Sequence, residues 1–191
     1  MQLIDKNSFI SVAMLAGGKA KRFEFDKQLL HLQKDSLFTS VLPTLNQHFD
    51  EVLVVTSKPK LYDDLNVKTI QDIFPQKGPL SGIHAALSFS KSKYVYIIAC
   101  DMPNIDIDYI NYMKQRLISI GADACVTQFA DRIEPFHAFY SKNALKTIEE
   151  DLLADLCSIK HLLQKINTLY ISEEEARQFT PDWSLFQNIN F

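Results

Sequence analysis

Apolar, strand-like runs alternate with helix-patterned segments along this chain, and few architectures accommodate that alternation. Ile10 to Ala16 is a short apolar run. Residues 51–56 form a β-branched block ended by Pro59, and 67–71 is a shorter candidate. Residues 94–99, Tyr-Val-Tyr-Ile-Ile-Ala, are apolar enough to be buried on both faces, and 122–128 and 134–140 supply two more strands. Between them, Leu37 to His48, Leu80 to Ser90 and Ile105 to Ile120 carry helical spacing. Ile110, Met113, Leu117 and Ile120 fall on one helical face. The pattern predicts β-α-β units, hence a mostly parallel sheet covered by helices in a three-layer α/β/α sandwich. Residues 142–166 and 173–190 are expected to add helices and a closing strand. The 191 residues, 47% of them hydrophobic, contain no repeat, low-complexity tract or linker. One domain over 1–191 is the expectation.

The net charge of −3 argues against a general nucleic-acid or membrane-surface binder, which would be basic overall. No window is long and apolar enough for a membrane span, and Met1 to Ser11 lacks the apolar core of a signal peptide. Cys100, Cys125 and Cys157 are an odd, widely spaced set without a C-x-x-C. They read as free thiols in a reducing compartment, so a cytoplasmic location is expected.

In parallel sheets of this kind ligands sit outside the carboxyl ends of the strands. That rule puts Gly17-Gly18, directly after the first strand, and Asp101, directly after the 94–99 strand, along one rim. Lys19, Lys21, Arg22 and Lys27 follow the glycines and outnumber Glu24 and Asp26, in a chain that is acidic overall. Glycine lets the backbone come close, exposed N–H groups meet anionic oxygens, and the cations neutralise what remains; the segment suits phosphates. Lys19 and Lys21 read as solvated surface charges, whereas Asp26-Lys27 before the apolar Leu29-Leu30 suggests a side chain held near the fold. Asp101 precedes Met102-Pro103 and, taken alone, reads equally as a turn cap. Beside a phosphate loop it becomes a Mg²⁺ ligand, because Mg²⁺ takes one or two carboxylates plus substrate phosphates. Gly78-Pro79-Leu80 then Gly82 reads as a tight turn into a helix, either a plain helix start or one whose free N–H groups meet a nucleotide.

Other patterns fail. Neither G-x-x-x-x-G-K-[ST] nor G-x-G-x-x-G can be laid on the glycine loop. Ser81 in Gly-Pro-Leu-Ser-Gly lies one residue too late for a nucleophile elbow. Asn104, Asp106 and Asp108 alternate like calcium-loop ligands, but Tyr109 follows and the distal Glu is missing; they read instead as the acidic opening of a helix. His84 and His137 have no metal-ligand spacing and read as packing residues.

Together these residues resemble the molybdenum cofactor guanylyltransferases, the MobA family of nucleotidyltransferases. The family's L-A-G-G-x-x-x-R-[MF]-G-x-D-K is met by Leu15-Ala16-Gly17-Gly18, Arg22, Phe23, Asp26 and Lys27, with Glu24 in place of the usual glycine. Its acidic residue before G-P-L-x-G is met by Asp72 and Gly78 to Gly82, and its [CA]-D-x-P by Cys100 to Pro103. Glu134 to Tyr140 is similar to its E-P-L-x-A-x-Y strand, and Phe186 to Asn190 to its N-x-N close. Thr56-Ser57 stands where the family often has an Asn that meets the nucleotide.

The resemblance implies a Rossmann-like, nucleotide-diphospho-sugar-transferase fold and GMP transfer from GTP to the terminal phosphate of molybdopterin. It implies that residues 15–18 cradle the triphosphate, Arg22 holds the departing pyrophosphate and Lys27 meets the α-phosphate. Asp101 would bind Mg²⁺ (Mn²⁺ possible), while Leu15, Asp72 and Gly78, Pro79, Leu80 and Gly82 would recognise base and ribose. Asn188 and Asn190 would take part in binding at the edge that faces the pterin, and other molybdenum cofactor biosynthesis proteins would make transient contacts. A cytidylyltransferase on a phosphorylated acceptor and a non-catalytic nucleotide-binding module are the alternatives, the second predicting GTP binding without pyrophosphate release.

Overall fold

The computed structural model describes residues 7–16 and 40–188. Seven strands form one sheet: β1 (Ser11–Leu15), β2 (Glu51–Val55), β3 (Lys68–Ile70), β4 (Tyr94–Ala99), β5 (Ala124–Phe129), β6 (Arg132–Ser141) and β7 (Thr168–Ile171), in the order β3-β2-β1-β4-β6-β5-β7. β1 pairs in parallel with β2 and β4, β2 with β3, and β5 with β7; β6 runs antiparallel to β4 and β5. The sheet is mostly parallel, as the alternation predicts.

Both faces are covered, which is why β1 and β2 are buried at every position. On one face lie α1 (residues 40–48) and α3 (Ile107–Ile120), whose Leu45, Ile110, Met113 and Leu117 meet Val12, Met14, Tyr96 and Ile98. On the other lie α2 (Pro79–Phe89), α4 (Leu145–Leu153) and α5 (Ile159–Lys165), whose Leu80, Ile83, Leu87, Ile148 and Leu162 meet Ala13, Leu53 and Ile97. Each such fully buried aliphatic side chain contributes about 1.5–3 kcal/mol relative to exposure. Asp106 opens α3 by accepting the Tyr109 N–H at 2.7 Å, and Gly121 ends it in the left-handed region at φ 70°.

Two expectations are corrected. Ile120 is half exposed, because it lies in the last turn of α3, past the point where the helix meets the sheet. Residues 142–166 hold helices as expected, α4 and α5, separated at 154–158, where Asp155 has φ 63°. The last strand is β7, ahead of 173–190. That segment instead holds the short α6 (Glu173–Ala176) and a 3₁₀ turn at Ser184–Phe186.

Glu51, read as part of a β-branched block, is a buried junction at the opposite edge from the ligand rim. Its Oε2 accepts the Ser11 hydroxyl at 2.5 Å and the Lys91 N–H at 2.8 Å, while Ser92 Oγ accepts the Ser11 N–H at 2.7 Å. The network ties the N-terminal ends of β1, β2 and β4. Glu51→Leu strands two donors, so it is expected to cost about 1–3 kcal/mol, seen as a fall of several degrees in Tm. Glu51→Gln, which keeps an acceptor, should lose less.

Candidate active site

Four strands end on one rim, and backbone bonds hold their ends together. Ala16 N–H donates to Val55 O at 2.9 Å, Cys100 N–H to Leu15 O at 3.2 Å and Thr56 N–H to Ile70 O at 2.9 Å. β1 lies between β2 and β4, so successive strands diverge to either side of it. That is the switch point where sheets of this class bind ligands. Leu15, Ala16 and Asp101 therefore share the rim, as expected. Gly17, Gly18, Arg22, Lys27 and Asn190 lie outside the described residues.

The second side of the rim is the start of α2. Gly78 precedes it at φ 72°, ψ −163°, a backbone shape L-residues avoid, and Pro79 takes the first helical position, where its missing N–H costs nothing. The N-terminal N–H groups of α2 thereby face the rim without a side-chain cap. Gly82 allows the helix to sit against β1: a Cβ there would stand 3.2 Å from Leu15 Cδ2. Ser81, rejected above as a nucleophile, is buried and donates to Phe74 O at 2.6 Å, closing the loop from β3 into α2.

Asp72 follows β3 in that loop. Its Oδ1 is buried without a hydrogen-bond partner among the described residues, and burial raises its pKa above the ordinary carboxylate value, an effect the Ser81 hydroxyl opposes. A buried acceptor without a donor is costly, and a ligand's N–H or O–H would satisfy this one. Sequence alone could not show that orphaned oxygen.

Asp101 is half-buried just past β4, where Met102 N–H returns to Ala99 O at 3.1 Å in a turn. Among the described residues no three His, Cys, Asp or Glu side chains gather as a metal cage. A lone carboxylate on such a rim nevertheless fits Mg²⁺, whose other ligands are waters and substrate oxygens. Burial pushes the neighbouring Cys100 thiol up to about 11, so it stays protonated and is no nucleophile. Thr56 is buried at the end of β2, its hydroxyl accepting the Lys58 N–H at 3.1 Å. Asn188 is exposed, two residues past the Ser184–Phe186 turn.

A family model described as the MobA-like NTP transferase domain matches residues 12–169. The chain belongs to the MobA-like NTP transferase family. Two relatives cover nearly all of it. The molybdenum cofactor guanylyltransferase of Syntrophotalea carbinolica is 46% identical over 95% of this chain and 87% of its own. The probable molybdenum cofactor guanylyltransferase of Peptoclostridium acidaminophilum is 46% identical over 95% of this chain and 85% of its own. Among solved structures, molybdopterin-guanine dinucleotide biosynthesis protein A of Archaeoglobus fulgidus superposes with a TM-score of 0.78 at 28% identity. It covers 94% of this chain and 92% of that one. The Francisella tularensis 2-C-methyl-D-erythritol 4-phosphate cytidylyltransferase, at TM-score 0.61 and 13% identity over 93% of this chain and 99% of that one, shares the fold.

As a MobA-like transferase, the chain carries Leu15, Ala16, Asp72, the α2 turn and Asp101 on the ends of β1, β3 and β4. His84 and His137 stay outside that set. His84 is buried on α2, its Nε2 3.0 Å from Glu149 Oε1. His137 is buried on β6, its Nδ1 3.0 Å from the Tyr96 hydroxyl. Cys100, Cys125 and Cys157 are free thiols, and no helix among the described residues is long and apolar enough to cross a membrane.

Proposed function

We propose that this chain transfers GMP from GTP to the terminal phosphate of molybdopterin, releasing pyrophosphate and forming the guanine dinucleotide. The match at 46% identity over 95% of the chain with relatives named for guanylyl transfer carries the reading. Donor and acceptor are both phosphate-rich, so the barrier lies in bringing anions together and stabilising charge at the α-phosphorus. Amides of residues 15–18 cradle the triphosphate, Arg22 holds the β- and γ-phosphates and the departing pyrophosphate, and Lys27 meets the α-phosphate. Asp72 accepts from the nucleoside, beside the Gly78–Gly82 turn, and Asn188 and Asn190 belong to the edge that faces the pterin. Asp101 holds Mg²⁺, or Mn²⁺ in its place. When bound, that ion neutralises phosphate oxygens and aligns donor with acceptor. The acceptor phosphate is already ionised at neutral pH, so no protein base need take its proton.

A single nucleotidyltransferase unit over 1–191 performs the reaction in the cytoplasm, with transient contacts to other molybdenum cofactor biosynthesis proteins. Pyrophosphate release with Mg²⁺, molybdopterin and either GTP or CTP tests the reading. GTP should turn over at least tenfold faster. Equal rates would remove the guanylyl assignment, and GTP binding without release would make the chain a binding module.

A further inference from the structure

Two cavities flank the Asp101 rim, and their chemistry differs. One, about 350 Å³, lies between α1, the loop after Asp101 and residues 179–185. Its polar groups serve the fold. Asp106 Oδ1 takes the Tyr109 N–H, Asp182 Oδ1 takes the Ser184 N–H at 3.1 Å, and Asn104 Nδ2 donates to Ser184 O at 2.8 Å. None of its described lining residues is a cation.

The other, about 330 Å³, lies between the tip of the β5–β6 hairpin and the first turn of α5. Ile133, Pro135, Ile159 and Leu163 line it, with Asp131, Arg132, Glu134 and Lys160 as its charged members. The register fixes its height. Phe139 pairs with both Tyr96 of β4 and Cys125 of β5, and Thr127 pairs with Glu134, which sets Glu134 level with Ile98. By the same count the Arg132–Phe129 pair stands level with Cys100, next to Asp101.

β6 reaches this position by a bulge. Five steps of β6, from Phe139 to Glu134, pass where β5 takes two, from Cys125 to Thr127. Pairing of β6 with β4 stops at Ala138, His137 turns at φ 50°, and the Tyr140 hydroxyl pins Pro135 O at 2.8 Å. Bulges of this kind re-aim side chains beside active sites. Here the sheet opens on the side of β4 away from β1, β2 and β3, where the nucleotide-facing groups lie.

We propose that the groove between the hairpin tip and α5 holds the pterin ring of the acceptor, with Glu134 as its specificity-determining carboxylate; this rests on the guanylyltransferase reading. A pterin is flat, and its 2-amino-4-oxopyrimidine edge presents neighbouring N–H donors that one carboxylate accepts together. Ile133, Pro135, Ile159 and Leu163 contact the ring faces, an apolar slot with one polar group that sets orientation. Arg132 and Lys160 meet the anionic remainder of the acceptor, whereas the charged residues among the described lining of the other cavity, Asp106 and Asp182, are both anionic. Nucleotide and acceptor then approach Asp101 from opposite sides of β4.

Glu134→Gln and the groove-filling Ile159→Trp test this. In anaerobic steady-state assays each should raise the KM for molybdopterin at least tenfold while the KM for GTP stays within twofold. Asp182→Asn, in the other cavity, should leave the acceptor KM unchanged. Independently of turnover, fluorescence titration with 6-hydroxymethylpterin should show binding to the parent protein that Ile159→Trp abolishes. An unchanged acceptor KM in both groove variants, an acceptor KM that responds to Asp182→Asn alone, or no binding of 6-hydroxymethylpterin overturns the proposal. A parent protein that binds 6-hydroxymethylpterin in the groove yet transfers no GMP would keep the site and overturn the guanylyltransferase reading instead.

Discussion

Asp101→Asn should lower kcat by on the order of 10²–10³ at saturating GTP and molybdopterin, the usual loss when one placed charge stabiliser is removed. The substitution keeps the shape of the side chain and removes only its charge. Among the described residues Asp101 makes no side-chain hydrogen bond or ion pair, so no described contact of that kind is lost at this position. Tm should therefore stay within about a degree of the parent, since a shift of 1 kcal/mol moves it only about 2–4 °C in a chain of this size. The divalent-ion concentration needed for half-maximal rate should rise as well, if Asp101 holds the metal as proposed. Stopped turnover with unchanged metal dependence would point to a positioning role instead. Turnover within tenfold of the parent would remove Asp101 from the chemistry.

The parts of the site that could be read from sequence are those where a local physical need selects one residue type. Gly78 and Pro79 are such a pair: a positive φ calls for glycine, and a helix start tolerates proline. β1 and β4 were legible for a related reason, since strands buried on both faces must be apolar throughout. β7 was not legible. Four residues, Thr-Leu-Tyr-Ile, alternate between half-buried and buried at the sheet edge, and so short an alternation competes poorly with the helical patterns on either side.

What distance along the chain conceals was lost altogether. The Ser11–Glu51–Lys91 network joins three strand ends, and a glutamate inside a β-branched block carries no local mark of it. The orphaned Asp72 oxygen arises from how the β3–α2 loop folds over it. The three extra residues in β6 appear only when both neighbouring strands are laid beside it. The resemblance marked Glu134 and Pro135 as a strand, yet only the pairing shows that the strand leaves β4 beside Asp101.

That same bulge predicts an acid-sensitive fold. At φ 50° the backbone of His137 turns its ring into the core against Tyr96 and Phe186, and histidine is among the residues that tolerate this region best. The ring is fully buried, and desolvation lowers its pKa to about 3. An unfolded chain binds a proton there near pH 6.5, while the folded chain stays unprotonated until about pH 3. Between those values the unfolded state holds more protons, so stability falls as pH drops. At about 1.36 kcal/mol per unit, the loss is about 2 kcal/mol at pH 5 and approaches about 5 kcal/mol near pH 3. Asp72 and Glu134, whose carboxyl pKa values are raised by burial, act in the opposite sense, losing stability as pH rises. The His137 contribution is therefore measured as a difference. His137→Asn, which keeps a residue suited to positive φ, should be less stable than the parent at pH 7.5 because it shrinks a core side chain. Its urea-derived stability should then change less between pH 7 and 5 than the parent's, by about 2 kcal/mol. Parallel pH profiles for the two proteins would mean that the buried imidazole gains a proton in the folded state without loss of structure.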